Sequence, residues 1–303
     1  MNEHHSYRVL RCVGGIFDLL AEDGSRISCR ARGNLRRGDG RVLVGDLVSL
    51  EMDENGECAI DAVADRSNSL IRPPLANLDE LLVVAAVRDP LPQTDTLDKL
   101  LAILEHNGIE ATVILTKCDL DAEAAERLSF IYTRAGYRVF CVSSFTGQGI
   151  AEATDYLNSR LAAGALLAVG GASGVGKSSL INCIFPSLDL GTGEISRKIA
   201  RGKNTTRVTE LFPLSGGFLA DTPGFSLLDF IRFDFMDCDD LAYAFREFVP
   251  LLPHCEYADC RHIKEESCAI RRAVADGSVA ESRYATYAAL YPVLREKKRT
   301  QIK

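Results

Sequence analysis

The chain has 303 residues, 47% hydrophobic and 25% charged, the make-up of a globular protein of about two domains. Its formal net charge of −7 excludes nucleic-acid binding through overall charge, though not through a local basic face. Met1 to Tyr7 is polar and no apolar run approaches the ~20 residues that span a bilayer, so a cytoplasmic protein without membrane contact is expected.

Residues 7–64 read as short strands at 8–13, 16–20, 26–29, 47–51 and 58–63, separated by turn pairs such as Gly14-Gly15 and Asn55-Gly56. Their number and length predict a five-stranded OB-type β-barrel. Arg26, Arg30, Arg32, Arg36, Arg37 and Arg41 give it a basic run interrupted only by Asp39, and 66–77, with Pro73-Pro74, reads as a linker. The pattern then changes. Apolar strands at 81–87, 111–115, 138–142 and 166–169 alternate with helices at 97–106, 122–134 and 150–161, which predicts a parallel α/β sheet. From 239 onward the chain reads as mainly helical, with helices at 241–248 and 281–298, the second interrupted by Pro292.

Ligands of such sheets bind beyond the carboxyl ends of the strands, and three motifs sit there. Thr116, Lys117, Cys118 and Asp119 follow the second strand. A carboxylate at Asp119 can accept two parallel hydrogen bonds from guanine N1–H and N2–H₂, which adenine cannot offer. The Lys117 stem can cover the base, and Ser143-Ser144 can present a backbone N–H to guanine O6. Gly171, Ala172, Ser173, Gly174, Val175, Gly176, Lys177 and Ser178 fit G-x-x-x-x-G-K-[ST] between a strand and an apolar helix, and Ser179 completes the expected phosphate cradle. Lys177 would reach the β- and γ-phosphates and Ser178 would ligate Mg²⁺. Asp221-Thr-Pro-Gly224 follows another apolar segment, with Asp221 as second metal anchor and Gly224 as γ-phosphate sensor. One of Thr205 and Thr206 would complete the Mg²⁺ shell. These residues predict a GTP/GDP site in permuted order, the base motif preceding the phosphate motif.

Seven of the ten cysteines, Cys12, Cys29, Cys58, Cys118, Cys141, Cys183 and Cys238, are scattered and read as small buried hydrophobes. The other three form Cys255-x₄-Cys260-x-His262-x₅-Cys268, a closed four-ligand set that suits one structural Zn²⁺. His254 is a rival ligand, but its place beside Cys255 would strain the geometry.

Together these features resemble the bacterial ribosome small-subunit-dependent GTPase A family, which is circularly permuted. The likeness rests on Val44-Gly-Asp46, Asn77-Leu-Asp79, Leu97-Asp-Lys99, the three nucleotide motifs, the Cys₃His spacing and Arg283-Tyr-Ala-Thr-Tyr287. It implies an RNA-binding barrel over 1–66, a permuted GTPase domain over 67–230 and a helical zinc-binding domain over 231–303. It also implies a monomer that binds the small ribosomal subunit and its rRNA late in assembly, with GTP hydrolysis stimulated there. Asn204 stands where the family commonly has histidine, Thr116 where most GTPases have asparagine, and Phe225 where Ras-like enzymes have glutamine. Thr116 is expected to weaken one loop-bracing bond, and Phe225 to slow intrinsic turnover. Two other readings are a non-hydrolytic, GTP-gated RNA-binding checkpoint and a P-loop small-molecule kinase. The Thr116–Asp119 motif speaks against the kinase.

Overall fold

Alternating apolar and polar residues build β1 (Tyr7–Val13), β2 (Ile16–Ala21), β3 (Arg26–Ala31), β4 (Leu47–Met52) and β5 (Cys58–Val63). The computed structural model describes residues 7–36, 41–52, 57–71, 73–186, 209–221 and 236–301. They divide into two compact units. One draws on Met1–Glu80, Asp155–Gly170 and Leu188–Phe225, the other on Leu81–Thr154, Gly171–Ser187 and Ser226–Lys303.

In the first unit β1 pairs with β2, β2 with β3, β3 in parallel with β5, β5 with β4, and β4 back with β1. The ring is the closed five-stranded barrel expected from the strand spacing. Val9, Phe17, Leu19, Cys29, Val48 and Ile60 fill its interior. On β3, Cys29 and Ala31 point inward while Arg26, Ser28 and Arg30 are exposed. Arg32, by contrast, is committed to ion pairs with Glu51 and Asp61.

Beyond the barrel, β6 (Ser69–Leu70) and β7 (Leu75–Ala76) pair antiparallel, so the stretch expected as a linker contains a small ribbon. Polar groups, one of them fully buried, stitch it down. The fully buried Asp46 carboxylate accepts from the Leu43 amide at 2.6 Å and from Arg66 at 2.7 and 2.9 Å. The Asn77 side chain donates to Gly45 O at 3.1 Å and accepts from the Ser67 amide at 2.9 Å. Asp79 accepts from the Leu166 amide at 2.7 Å. Gly45 has φ +91, and a Cβ there would lie 2.2 Å from the Ala76 carbonyl oxygen. The unit also holds β11 (Leu166–Gly170), β12 (Glu210–Leu214) and β13 (Gly217–Asp221). β13 lies parallel to β11 and antiparallel to β12.

In the second unit β8 (Glu80–Ala86), β9 (Glu110–Thr116) and β10 (Arg138–Cys141) lie side by side, with β9 and β10 parallel. Nearly every residue of β8 and β9 is buried, as befits strands covered on both faces. The helices are α1 (Thr94–His106), α2 (Ala122–Arg134), α3 (Ile150–Ala162), whose second half belongs to the first unit, and α4 (Lys177–Ile184). Asp121 caps α2 by accepting the Ala124 amide at 3.0 Å.

The C-terminal part holds α5 (Ala269–Ala275) and α6 (Glu281–Gln301). Two expectations change here. Residues 241–248 form successive turns rather than a helix, with bonds three residues apart such as Tyr243 N to Asp240 O at 3.0 Å and Phe248 N to Phe245 O at 2.8 Å. The tighter winding puts Phe245 and Phe248 together, centroids 5.1 Å apart, with the Tyr287 ring edge-on to both. The second change is that α6 runs through Pro292 without a break. A proline removes one helical bond, but Tyr287, Leu290, Tyr291 and Leu294 stay buried on both sides of it.

Arg283, fully buried, joins α6 to the rest of this unit. It donates to Asp98 on α1 at 3.0 Å and, as a fork, to Glu247 at 2.7 and 3.0 Å. Thr286 and Tyr132 also donate to Asp98, at 2.9 and 3.1 Å. Removing one member of a buried ion network leaves the others as unpaired charges. Arg283→Met is therefore expected to lower stability by about 3–5 kcal/mol in urea unfolding. Gly45→Ala should cost about 2 kcal/mol or more through its left-handed φ and the backbone clash, read the same way.

Candidate functional site

The chain path forces glycine at 171. Its φ is +140, and a Cβ would meet the Val84 carbonyl oxygen at 2.1 Å. The loop that begins here therefore runs against the backbone of β8, an approach that only glycine permits. Left-handed residues at Gly174 and Gly176 curl it further, and α4 starts directly after Gly176. Such a turn makes its amides converge on an anion, and the helix start adds positive potential. Lys177 Nζ donates to Gly171 O at 2.9 Å and Ala172 O at 2.6 Å, and burial lowers its pKa. Ser173, Gly174 and Ser179 are exposed, Ala172 and Ser178 half-buried, and Val175 is buried.

The 116–119 loop, expected to read the base, is fastened to the 171–179 loop. Thr116 ends β9, and its hydroxyl donates to Val175 O at 2.5 Å. Sequence reasoning expected threonine to weaken a bracing bond, yet the hydroxyl makes a direct one between the two loops. Lys117 takes φ +59, and its ammonium donates to Gly174 O at 2.9 Å and to the Asp89 carbonyl. A non-glycine residue in that region is strained, and these bonds hold it there. The Cys118 amide donates to Val142 O at 3.2 Å. Asp119 is exposed and lines a cavity of roughly 730 Å³ beside α2.

After β10, Ser143 is fully buried, and its amide is committed to Gln148 O at 2.9 Å. Its hydroxyl oxygen accepts from the Phe145 and Thr146 amides at 3.3 and 3.1 Å. Ser143 thus shapes the turn, and its own amide is not free to serve as the expected donor. One contributor had no legible sequence signal: Asp89 acts through its carbonyl, which any residue carries.

The structure brings together Thr116–Asp119, Ser143-Ser144 and the 171–179 loop in the second unit. Asp221 ends β13 in the first unit. Thr205, Thr206 and Gly224, together with Asn204 and Phe225, lie outside the described residues.

Cys255, Cys260, His262 and Cys268 meet with all donor atoms within 4.8 Å of one another. His262 Nδ1 is 3.6 Å from Cys255 Sγ and 3.4 Å from Cys268 Sγ. Tetrahedral zinc with thiolate ligands needs donors about 3.8 Å apart, so the set fits that ion. His254 is not in the group. Burial pushes the Cys260 thiol up to about 12 and lowers His262, and a divalent cation would favour the ligating forms of both. Hydrogen bonds hold the loop. Tyr284 donates to His262 O at 2.8 Å and Tyr287 to Arg261 O at 3.0 Å. Burial would raise the Glu265 carboxyl, but the Arg261, Lys264 and Ile263 amides outweigh it and hold it at about 2. A lowered carboxyl contributes stability that is present above its unfolded value of about 4.3 and is lost as pH falls through about 2.

The model of the RsgA GTPase family matches residues 63–231, and that of the RsgA N-terminal domain matches 8–60. The chain is 37% identical to the small ribosomal subunit biogenesis GTPase RsgA of Caldanaerobacter subterraneus subsp. tengcongensis, covering 98% of each. It is 36% identical to that of Halalkalibacterium halodurans, over 92% of this chain and 93% of the relative. Among solved structures it is similar to YjeQ from Thermotoga maritima, with a TM-score of 0.78, 32% identity and coverage of 95% and 97%. It is also similar to YloQ, a circularly permuted GTPase, with a TM-score of 0.74, 30% identity and coverage of 98% and 97%.

Thr116→Val keeps the shape of the side chain but removes the donor to Val175 O. A lost buried hydrogen bond costs about 1–2 kcal/mol. Fluorescent-GDP titration should show affinity reduced about tenfold.

Proposed function

The chain belongs to the RsgA GTPase family, and on that footing we propose that it hydrolyses GTP to GDP and phosphate while bound to the small ribosomal subunit during its maturation. The observation that carries this reading is the base loop locked to the phosphate loop by Thr116 and Lys117. It gives one surface that reads a guanine with Asp119 and a phosphate chain with Gly171 to Ser179.

In this mechanism the backbone amides of the phosphate loop hold the β-phosphate. Lys177 exchanges its two carbonyl partners for phosphate oxygens and stabilises charge on the transferring group. Asp119 accepts the guanine N1–H and N2–H₂, and Ser144 offers its amide to O6. Ser178, Asp221 and one of Thr205 and Thr206 would hold Mg²⁺, which would supply positive charge to the phosphoryl group. Gly224 would sense the γ-phosphate. With Phe225 where a water-positioning glutamine would stand, the intrinsic rate is slow, and the ribosome raises it.

The protein works as a cytoplasmic monomer, and among the described residues no helix is long and apolar enough to cross a membrane. The barrel contacts rRNA through the exposed Arg26, Arg30 and Arg41. The division into a barrel over 1–66, a GTPase domain over 67–230 and a zinc domain over 231–303 belongs to the same reading.

Phosphate release from GTP, with and without purified small subunits, tests the proposal. Stimulation of tenfold or more is expected. Tight GTP binding with no release in either condition would replace it with a nucleotide-gated checkpoint. For the Cys₃His cluster one bound Zn²⁺ is expected by elemental analysis, and a strong chelator should speed proteolysis within residues 250–275. Unchanged proteolysis after metal loss would refute a structural role.

A further inference from the structure

Cys118 sits inside the base loop, between Lys117 and Asp119, and Cys141 ends β10. Cys118 follows β9, the parallel neighbour of β10, and its amide donates to Val142 O at 3.2 Å, directly beside Cys141. Both line the roughly 730 Å³ cavity beside α2 that Asp119 borders, together with Ser129 and Gln148. Cys118 is buried and Cys141 half-buried, so Cys141 is the thiol that an entering molecule meets first.

We propose that Cys118 and Cys141 form a thiol pair that a small peroxide entering this cavity oxidises to a disulfide, and that this bond releases guanine nucleotide by displacing Asp119. The inference rests on the reading of Thr116–Asp119 as the guanine site.

The electronic setting favours the chemistry. Contact with the Cys118 side chain holds the Cys141 pKa down at about 6, and Ser129 adds to it. The same contact, together with burial, pushes Cys118 up. One thiol is thus the nucleophile and the other the resolving group. The Cys141 thiolate attacks a peroxide oxygen. The S–O bond forms, the O–O bond breaks, and the departing hydroxide takes up a proton to leave as water. Cys118 sulfur then attacks the sulfenic sulfur. The S–S bond forms, the S–O bond breaks, and the leaving hydroxide takes the Cys118 proton as a second water. Two thiols lose two electrons in total, and one peroxide becomes two waters.

The conformational consequence follows from bond geometry. At rest the Cys118 thiol also lies 3.2 Å from Leu115 O, to which it donates. A disulfide requires about 2.05 Å between the sulfurs and a dihedral near 90°. Meeting both pulls Cys118 off Leu115 O and moves its neighbour Asp119. Paired hydrogen bonds to a base do not survive a shift on the order of 1 Å.

The test is titration of the full-length zinc-loaded protein with stoichiometric hydrogen peroxide, followed by non-reducing peptide mass mapping and fluorescent-GDP binding. The expected result is a Cys118–Cys141 cross-linked peptide, GDP affinity reduced tenfold or more, and recovery with a thiol reductant. Cys141→Ser, or Cys141→Ala should the serine variant fold poorly, should bind GDP normally and resist peroxide. The proposal is overturned by absence of the cross-link, by a cross-link with unchanged GDP affinity, or by equal inactivation of Cys141→Ser, which would trace the loss to Cys255, Cys260 or Cys268. Failure of the untreated protein to bind GDP would strike the guanine-site reading, and with it the proposed release of nucleotide, while the cross-link would still decide the thiol chemistry.

Discussion

One hydroxyl, that of Thr116, spans the gap between the two loops that the proposed function assigns to opposite ends of a nucleotide, and it reaches Val175 O at 2.5 Å. The order of motifs along the chain makes this bond consequential. Fifty-nine residues separate its partners, so covalent continuity does nothing to hold them in register. Lys117 repeats the connection to Gly174 O from a left-handed backbone. Base and phosphate readers can therefore act as one rigid surface although each follows a different strand. Gly171, pressed against Val84 O, fixes the third corner.

Polar clamps account for motifs outside the proposed nucleotide site. In Val44-Gly-Asp46 the aspartate gathers Arg66 and the Leu43 amide, and the glycine admits the Ala76 carbonyl. In Asn77-Leu-Asp79 the two polar residues reach Gly45 and Leu166. In Leu97-Asp-Lys99 the aspartate receives Arg283 and Thr286 from α6. The Asp46 and Asp98 clamps are expensive to break because their charges are out of water. Such residues specify which elements dock on which, and the apolar core then packs around them.

Much of the fold was legible because its signals are local. Strand alternation marked the barrel, and uninterrupted apolar runs marked β8 and β9. The bounds of α2 could be read to the residue, helped by the cap at Asp121. What escaped depends on partners distant in sequence. Residues 241–248 carry a helical spacing, but the aromatic cluster with Tyr287 draws them into tighter turns. Pro292 reads as a break, yet burial on either side carries α6 past it. Arg32 counts toward the basic run until Glu51 and Asp61 are seen to occupy it. At the site, motif spacing revealed both loops and the four-donor cluster. It could not reveal that the Ser143 amide is spent on Gln148, nor that Cys141 stands beside Cys118.

Lys177 rests on the carbonyls of Gly171 and Ala172, the loop it serves. A ligand must outcompete two well-placed dipoles before it can recruit that ammonium. On the proposed function, a nucleoside carries no charge with which to compete, whereas a diphosphate or triphosphate supplies concentrated negative charge. The resting lysine would then act as a charge-density filter for the proposed ligand.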